Sequence, residues 1–323
     1  MLDITTATCS ERGGRAANED ALRAGQAGTT RYAVLADGAG GHEGGAEASR
    51  RVVDRIEAAL CADASAFAPA RLTRALLAAH AELQREQRGA QGQRRMHATV
   101  VALWIDGQRN HAVWSHVGDS RLYRLRYGAI ELMTADDSVV QRMLESGVLT
   151  PRQAQQHPMK NQLLAAVGMQ DGLEPHTLAE AALIEDGDAF LLCSDGWWGL
   201  LDAADMTGTL SDADTPQAWL DAMRKLIETR GTGGHDNFSA IAVWVSDPAE
   251  STQSMPDDDA TLPAPFSGSQ GNVALPLSGI PSGDGRRMPS ALGRSQGNVA
   301  LPLSGIPSGD GRRMPSALGR SLP

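Results

Sequence analysis

Four aspartates of this 323-residue chain stand where apolar runs begin or end. Asp37 follows the run 33–36, Asp195 follows 190–194, Asp119 falls at the close of 111–120, and Asp236 immediately precedes 237–245. Carboxylates at strand termini project from the edge of a sheet, so several can converge on one small volume. Two carboxylates about 4 Å apart repel by roughly 4 kcal/mol at an effective dielectric of about 20, and three or four cannot all stay ionised unaided. A divalent cation resolves that conflict. The donors are oxygens, with no Cys/His cluster at ligand spacing, which favours Mg²⁺ or Mn²⁺ over zinc. Gly38 and Gly196, each next to an aspartate, permit a sharp turn and a close backbone approach to an ion. Taken singly, each feature has a plainer reading: Asp-Gly is a turn signal, Gly118-Asp119-Ser120 a hairpin, Asp236 a loop acid, and Asn18-Glu19-Asp20 a solvated turn. Their joint occurrence is what points to a metal centre.

The elements that must position these acids are legible in part. Runs 31–38, 98–105, 111–120, 121–126, 188–196 and 237–245 are rich in β-branched and aromatic residues and end at Gly, Asp or Asn, which predicts strands. Helical spacing recurs in 45–60, 70–87, 138–147 and 215–231. In the last of these Thr215 is the expected N-cap, Pro216 the first helical residue and Gly231 the stop. Strands and helices intermix without strict βαβ alternation, so the fold class is α+β and layered rather than a Rossmann sheet.

Composition narrows the partners. With 29 Lys+Arg against 39 Asp+Glu the formal charge is −10, which disfavours nucleic acid, because affinity for it comes largely from cationic side chains. No run approaches the roughly 18 to 20 apolar residues of a membrane span, and the opening MLDITTATCSERGG lacks a basic head and apolar stretch. A cytoplasmic protein is the expectation, and three widely spaced cysteines with no CxxC pair fit a reducing compartment. All six tryptophans lie between Trp104 and Trp244, and the folded part is expected to end near residue 248. From Glu250 onward 74 residues hold 10 Pro, 11 Gly and 12 Ser with one aromatic, too little apolar surface to offset the entropy of ordering. Residues 249–323 therefore read as a disordered, low-complexity tail. It contains an exact duplication, Ser269–Arg294 repeated as Ser295–Arg320 with a period of 26, and its Arg-Arg-x-x-Ser patterns end at Ser290 and Ser316, where a kinase preferring basic residues upstream could act.

Five segments occur in a telling order: RAANED (15–20), LADGAGGH (35–42), VGDSRLY (117–123), LCSDG (192–196) and HDNFS (235–239). Together they resemble the metal-dependent protein serine/threonine phosphatases of the PP2C (PPM) family in its compact bacterial form. The resemblance covers about residues 5–246. It implies a central β-sandwich of two antiparallel sheets flanked by α-helices, with two Mn²⁺ or Mg²⁺ ions at one end. By motif position Asp37 matches the acid that bridges both metals, Gly38 a carbonyl ligand, and Asp195 and Asp236 the remaining ligands. Asp119 with Asp195 matches a third, weaker metal, Glu19 and Asp20 match residues that hold metal waters, and Arg15 matches the arginine that grips substrate phosphate. The implied chemistry is in-line attack on phosphorus by a water activated between two metals, without a covalent intermediate. The implied partners are phosphorylated proteins and an opposing bacterial Ser/Thr kinase, with the enzyme a monomer.

The chain departs from the family pattern in places. His97-Ala98-Thr99 stands where Gly-Thr-Thr is usual, Asp136-Asp137-Ser138 where Asp-His-Ser is usual, and Ser239 replaces Thr. In animal members of the family the general-acid histidine falls at the position of Ala39 here; His42, five residues after Asp37, is a candidate proton donor, with a turn-stabilising role for it or protonation by a metal-bound water as the alternatives. The stretch from about 136 to 168 corresponds to the family's flap, where substrate choice is expected to reside, with Thr150-Pro151 opening its second helix. Trp197 and Trp198 are expected to pack in the core and against the flap. The altered motifs keep two other readings open: a catalytically impaired pseudophosphatase that binds phosphoproteins, and a hydrolase of small phosphate esters.

Overall fold

The computed structural model describes residues 1–39, 43–62, 67–89, 96–169 and 172–248. His42 and the whole 249–323 segment, including the duplication, Ser290 and Ser316, lie outside the described residues. Alternation of side chains along strands explains the architecture. In β3 (Thr30–Ala39) and β5 (Val100–Asp106), Ala33, Leu35, Val101, Leu103 and Ile105 enter one core while Val34, Ala36, Val100, Ala102 and Trp104 enter another. A strand buried on both faces is continuously apolar, and its period of two decides which core each residue joins.

Two antiparallel sheets result. One has the order β1 (Asp3–Glu11), β12 (Phe238–Ser246), β11 (Ala189–Cys193), β7 (Arg121–Arg126) and β8 (Ala129–Leu132). The other has seven strands: β10 (Ala182–Leu183), β6 (His111–Val117), β5, β3 and β2 (Asp20–Ala27) in order, with β4 (His97–Ala98) paired to β3 and β9 (His176–Thr177) to β6. Leu35, Val101, Leu103 and Ile105 meet Phe190, Leu192, Ile241 and Val243 between the sheets. This is sheet-on-sheet packing.

Helices cover both outer faces. α1 (Glu43–Cys61) and α2 (Pro69–Gly89) lay Val52, Ile56, Leu72, Leu76 and Leu83 on the seven-stranded sheet. α5 (Asp195–Trp198), α6 (Ala203–Ser211) and α7 (Pro216–Arg230) bury Trp197, Met206, Trp219, Met223 and Ile227 against Leu191, Ala240 and Ala242 of the other. The fold is the α+β sandwich flanked by helices that the resemblance implied. Thr215 caps α7 by accepting the Ala218 amide, Pro216 opens it and Gly231 ends it, as the sequence predicts.

Between β8 and β9 the chain forms α3 (Val139–Glu145) and α4 (Pro151–Gln155). Ser138 caps α3, and Thr150 with Gln153 forms a capping box at α4. Each cap satisfies amides that a helix start leaves unpaired. Among the described residues no helix is long and apolar enough to cross a membrane.

Candidate active site

Topology gathers the acids. β2 pairs with β3 so that Asp20 faces Asp37 across the ladder. In the opposite sheet Cys193 pairs with both Arg121 and Ala240, so the end of β11 lies beside the starts of β7 and β12. Asp195, Asp119 and Asp236 sit just beyond those three strand ends, at the same edge of their sheet. Asp37 does not terminate its strand, contrary to the sequence reading. β3 runs on to Ala39 because β4 continues the ladder through Gly38–Ala98, and Thr99 donates its amide to the Asp37 carbonyl at 2.9 Å. Asp195 opens α5 rather than closing a strand. Asp119 lies in the turn after β6, where Gly118 has φ +96° and an added Cβ would stand 2.6 Å from Thr99 Cγ2, a conformation that favours glycine.

The electrostatics show how closely the acids crowd. Burial, then the charges of Asp20, Asp195, Asp119 and Asp236, push the Asp37 carboxyl well above its ordinary range. Burial lifts Asp20 to about 7 against the pull of hydrogen bonds from Ser239 and Ser194, with Asp195 and Asp236 adding repulsion. Asp119 rises to about 8, mainly by burial and then by Asp195. Asp195 rises to about 6 through burial and Asp236, while the Gly196 amide, Lys160 and Arg15 pull it down. Four buried carboxylates, with the part-exposed Asp236 at their edge, therefore crowd one volume, which is energetically costly without a compensating positive charge.

The surrounding residues hold that geometry. Arg15 reaches Asp236 at 2.5 Å from an exposed position. Ser194 Oγ donates to Asp20 Oδ2 at 2.9 Å and accepts the Ser239 amide at 3.0 Å. Asn237 is buried and ties down the 12–19 loop: its Nδ2 donates to the Arg12 and Ala17 carbonyls at 2.7 and 2.9 Å, and its Oδ1 accepts the Glu19 amide at 2.9 Å. The Glu19 carbonyl in turn accepts the Gly38 amide at 3.1 Å and the Ser49 hydroxyl at 2.5 Å. Sequence reasoning overlooked Ser194, Asn237 and Lys160. Two of them lie inside the quoted motifs, but only their distant partners give them a purpose. Trp197 is buried in the core, whereas Trp198 does more than pack: its Nε1 donates to the Asp119 carbonyl at 2.9 Å, and the Arg121 guanidinium stacks 3.5 Å from its ring centroid.

The altered 136–138 motif is engaged in structural contacts beside the Asp119 turn. Asp136 forms a two-point ion pair with Arg121 at 3.0 and 2.8 Å, Asp137 accepts the Gly118 amide at 2.9 Å, and Ser138 caps α3. In the His97-Ala98-Thr99 segment, Thr99 Oγ1 accepts the Asp37 amide at 3.2 Å and pairs with Ser120 Oγ at 2.7 Å.

The residues present fit a hard divalent cation. Asp20 Oδ1 and Asp195 Oδ1 are buried with no hydrogen-bond partner, so each keeps lone pairs that only a cation or water could satisfy. An added Cβ on Gly45 would stand 2.9 Å from the Gly38 carbonyl oxygen and 2.6 Å from Glu19 Oε2, so bare backbone leaves that oxygen and that carboxylate close together. The donors are oxygens throughout. Beside the acids an open cleft of about 860 Å³ runs past Asn18, Asp20, Arg23 and Arg50.

The family model described as Protein phosphatase 2C matches residues 10–236. The chain belongs to the protein phosphatase 2C family. Among its relatives, the serine/threonine protein phosphatase PstP of Mycobacterium tuberculosis is 34% identical over 281 residues, which cover 81% of this chain and 50% of PstP. The chain thus matches only half the length of that protein. The protein phosphatase PhpP of Streptococcus pneumoniae is 30% identical over 219 residues, covering 66% of this chain and 85% of PhpP. In three dimensions the PP2C sandwich superposes on the catalytic domain of PstP in complex with two manganese ions, with a TM-score of 0.67 at 29% identity, covering 76% of this chain and all of that one.

Proposed function

We propose that this protein is a Mn²⁺- or Mg²⁺-dependent phosphatase that hydrolyses phosphoserine and phosphothreonine in proteins. The observation that carries the reading is the convergence of Asp20, Asp37, Asp119, Asp195 and Asp236, with unpartnered buried oxygens on Asp20 and Asp195, in a chain of the PP2C family. Asp37, the Gly38 carbonyl, Asp195 and Asp236 would hold two ions, and Asp119 with Asp195 a third. Glu19 and Asp20 would anchor metal waters. Bound ions of this kind neutralise phosphate and make water nucleophilic at neutral pH.

The chain's own groups do the rest. Arg15 is exposed and held at Asp236, and its planar fork can grip two phosphate oxygens at once. Lys160, near enough to lower the Asp195 carboxyl, brings a second cation from the 136–168 flap. Asn237 keeps the Arg15 loop seated, so the phosphate is presented to a preformed site and not to a mobile one. His42 is a candidate proton donor to the leaving oxygen. We assign catalysis to residues 1–248, with 249–323 as a separate tail, and place the enzyme in the cytoplasm as a monomer opposing a Ser/Thr kinase.

Turnover of a phosphothreonyl peptide and of sugar phosphates, each with Mn²⁺ and with EDTA, tests the assignment. Peptide hydrolysis that requires Mn²⁺ and greatly exceeds hydrolysis of sugar phosphates is expected. Peptide binding without turnover would establish the pseudophosphatase instead, and preference for sugar phosphates a small-ester hydrolase.

A further inference from the structure

Near Gly118, two histidines 60 residues apart in sequence become neighbours. His116 of β6 and His176 of β9 are direct cross-strand partners, and their rings stack with centroids 4.9 Å apart at 24°. Asp137 closes the group: its Oδ1 lies 2.9 Å from His176 Nε2, and its Oδ2 accepts the Gly118 amide at 2.9 Å. One nitrogen from each ring and one oxygen of the carboxylate lie within 4.8 Å of one another. Ligands about 2.0 Å from a common tetrahedral ion lie about 3.3 Å apart, so small side-chain rotations would close the set.

The protonation of His116 is the deciding feature. Its Nε2 lies 2.8 Å from the Ala135 carbonyl, a contact that only an N–H can make. In the neutral ring the proton is therefore on Nε2, and Nδ1 carries a free lone pair. Nδ1 is buried and has no hydrogen-bond partner, in a residue only 5% exposed. A ring nitrogen fixed by a backbone carbonyl with its other nitrogen open is the arrangement of a metal-ligating histidine. Two imidazoles and one carboxylate form a borderline donor set, unlike the all-oxygen set of the aspartate cluster.

We propose that His116, Asp137 and His176 bind one divalent transition ion of the zinc type, distinct from the ions of the aspartate centre. The ion would join β6, β9 and the root of the 136–168 segment. Its carboxylate ligand also holds Gly118, the residue before Asp119, so the two centres share a turn. Binding expels any proton on the ligating atoms to solvent and leaves neutral imidazole, carboxylate and an open position for water. The inference does not depend on the phosphatase reading.

The test is calorimetric titration of Zn²⁺ into the full chain saturated with Mn²⁺, with Co²⁺ absorption as a spectroscopic probe of nitrogen ligation. One zinc equivalent per chain is expected, weakened by about tenfold or more in both His176→Ala and Asp137→Asn, and kept in Asp236→Asn. His176 is half exposed, so its alanine variant does not open the core, and circular dichroism verifies the fold of both variants. An equivalent that persists unweakened in His176→Ala and Asp137→Asn overturns the proposal. So does the absence of zinc uptake by the manganese-saturated wild type.

Discussion

Asp236 meets Arg15 through one carboxylate oxygen at 2.5 Å and the amide of Asn237 through the other at 2.8 Å. It couples the proposed metal centre to the proposed phosphate grip, so Asp236→Asn should lower kcat/KM on a phosphothreonyl peptide by about a thousandfold, roughly 4 kcal/mol of transition-state stabilisation. Steady-state kinetics at saturating Mn²⁺ measure this, and turnover within a few-fold of wild type would refute the role. Asn237 acts differently, through the loop it restrains. Asn237→Ala removes three hydrogen bonds at a buried site and should cost about 2 to 3 kcal/mol in urea unfolding. It should also raise KM more than it lowers kcat, since the Arg15 loop loses its tether. The acids were visible in the sequence because carboxylates next to apolar runs are unusual. Asn237 and Ser194 were not, because their value lies in partners between 45 and 225 positions away.

α7 was readable in full because its signals are local: a capping threonine, a proline at the first turn, apolar residues at helical spacing and a terminal glycine. β1 and β2 were not. DITTATCSE is mostly exposed and DALRAGQA is only partly buried, and neither shows a marked apolar alternation. They become strands because β12 and β3 offer ladders to complete. α6 is hidden by Thr, Gly and Ser within it and declared only by the Asp202–Asp205 capping box. The packing of these helices is testable at Trp219, which is fully buried, donates from Nε1 to the Met206 carbonyl at 3.0 Å and lies 6.5 Å from the Trp244 ring. Trp219→Ala should destabilise the protein by about 3 to 5 kcal/mol by leaving a cavity, as read from denaturant midpoints.

Over the whole molecule, the excess of acid raises the question of which carboxylates stabilise the fold. Asp20, Asp37, Asp119 and Asp195 at the candidate centre are held above their ordinary range, whereas Asp205 is held below it. Arg230 bonds both Asp205 oxygens, at 2.5 and 2.7 Å, and holds the carboxyl down at about 2. A depressed carboxyl contributes stability above its unfolded value of about 4 and loses it as pH falls toward the folded value. The Tm gap between wild type and Asp205→Asn should therefore be open at pH 6 and narrow steadily between about pH 4 and 2. A gap unchanged over that window would show that the ion pair does not contribute through ionisation.

The sequence by itself determined the layered α+β class, the motif order and the oxygen-rich character of the candidate centre. These follow from local patterning and residue type, which a linear chain displays openly. Only the tertiary structure decided that Asp37 lies within a continuing strand, that Asp195 begins a helix, and that His116, Asp137 and His176 come together. The physical reason is strand pairing: a ladder extended by a two-residue neighbour, or one that sets residue 116 beside residue 176, leaves no trace in the spacing of either segment.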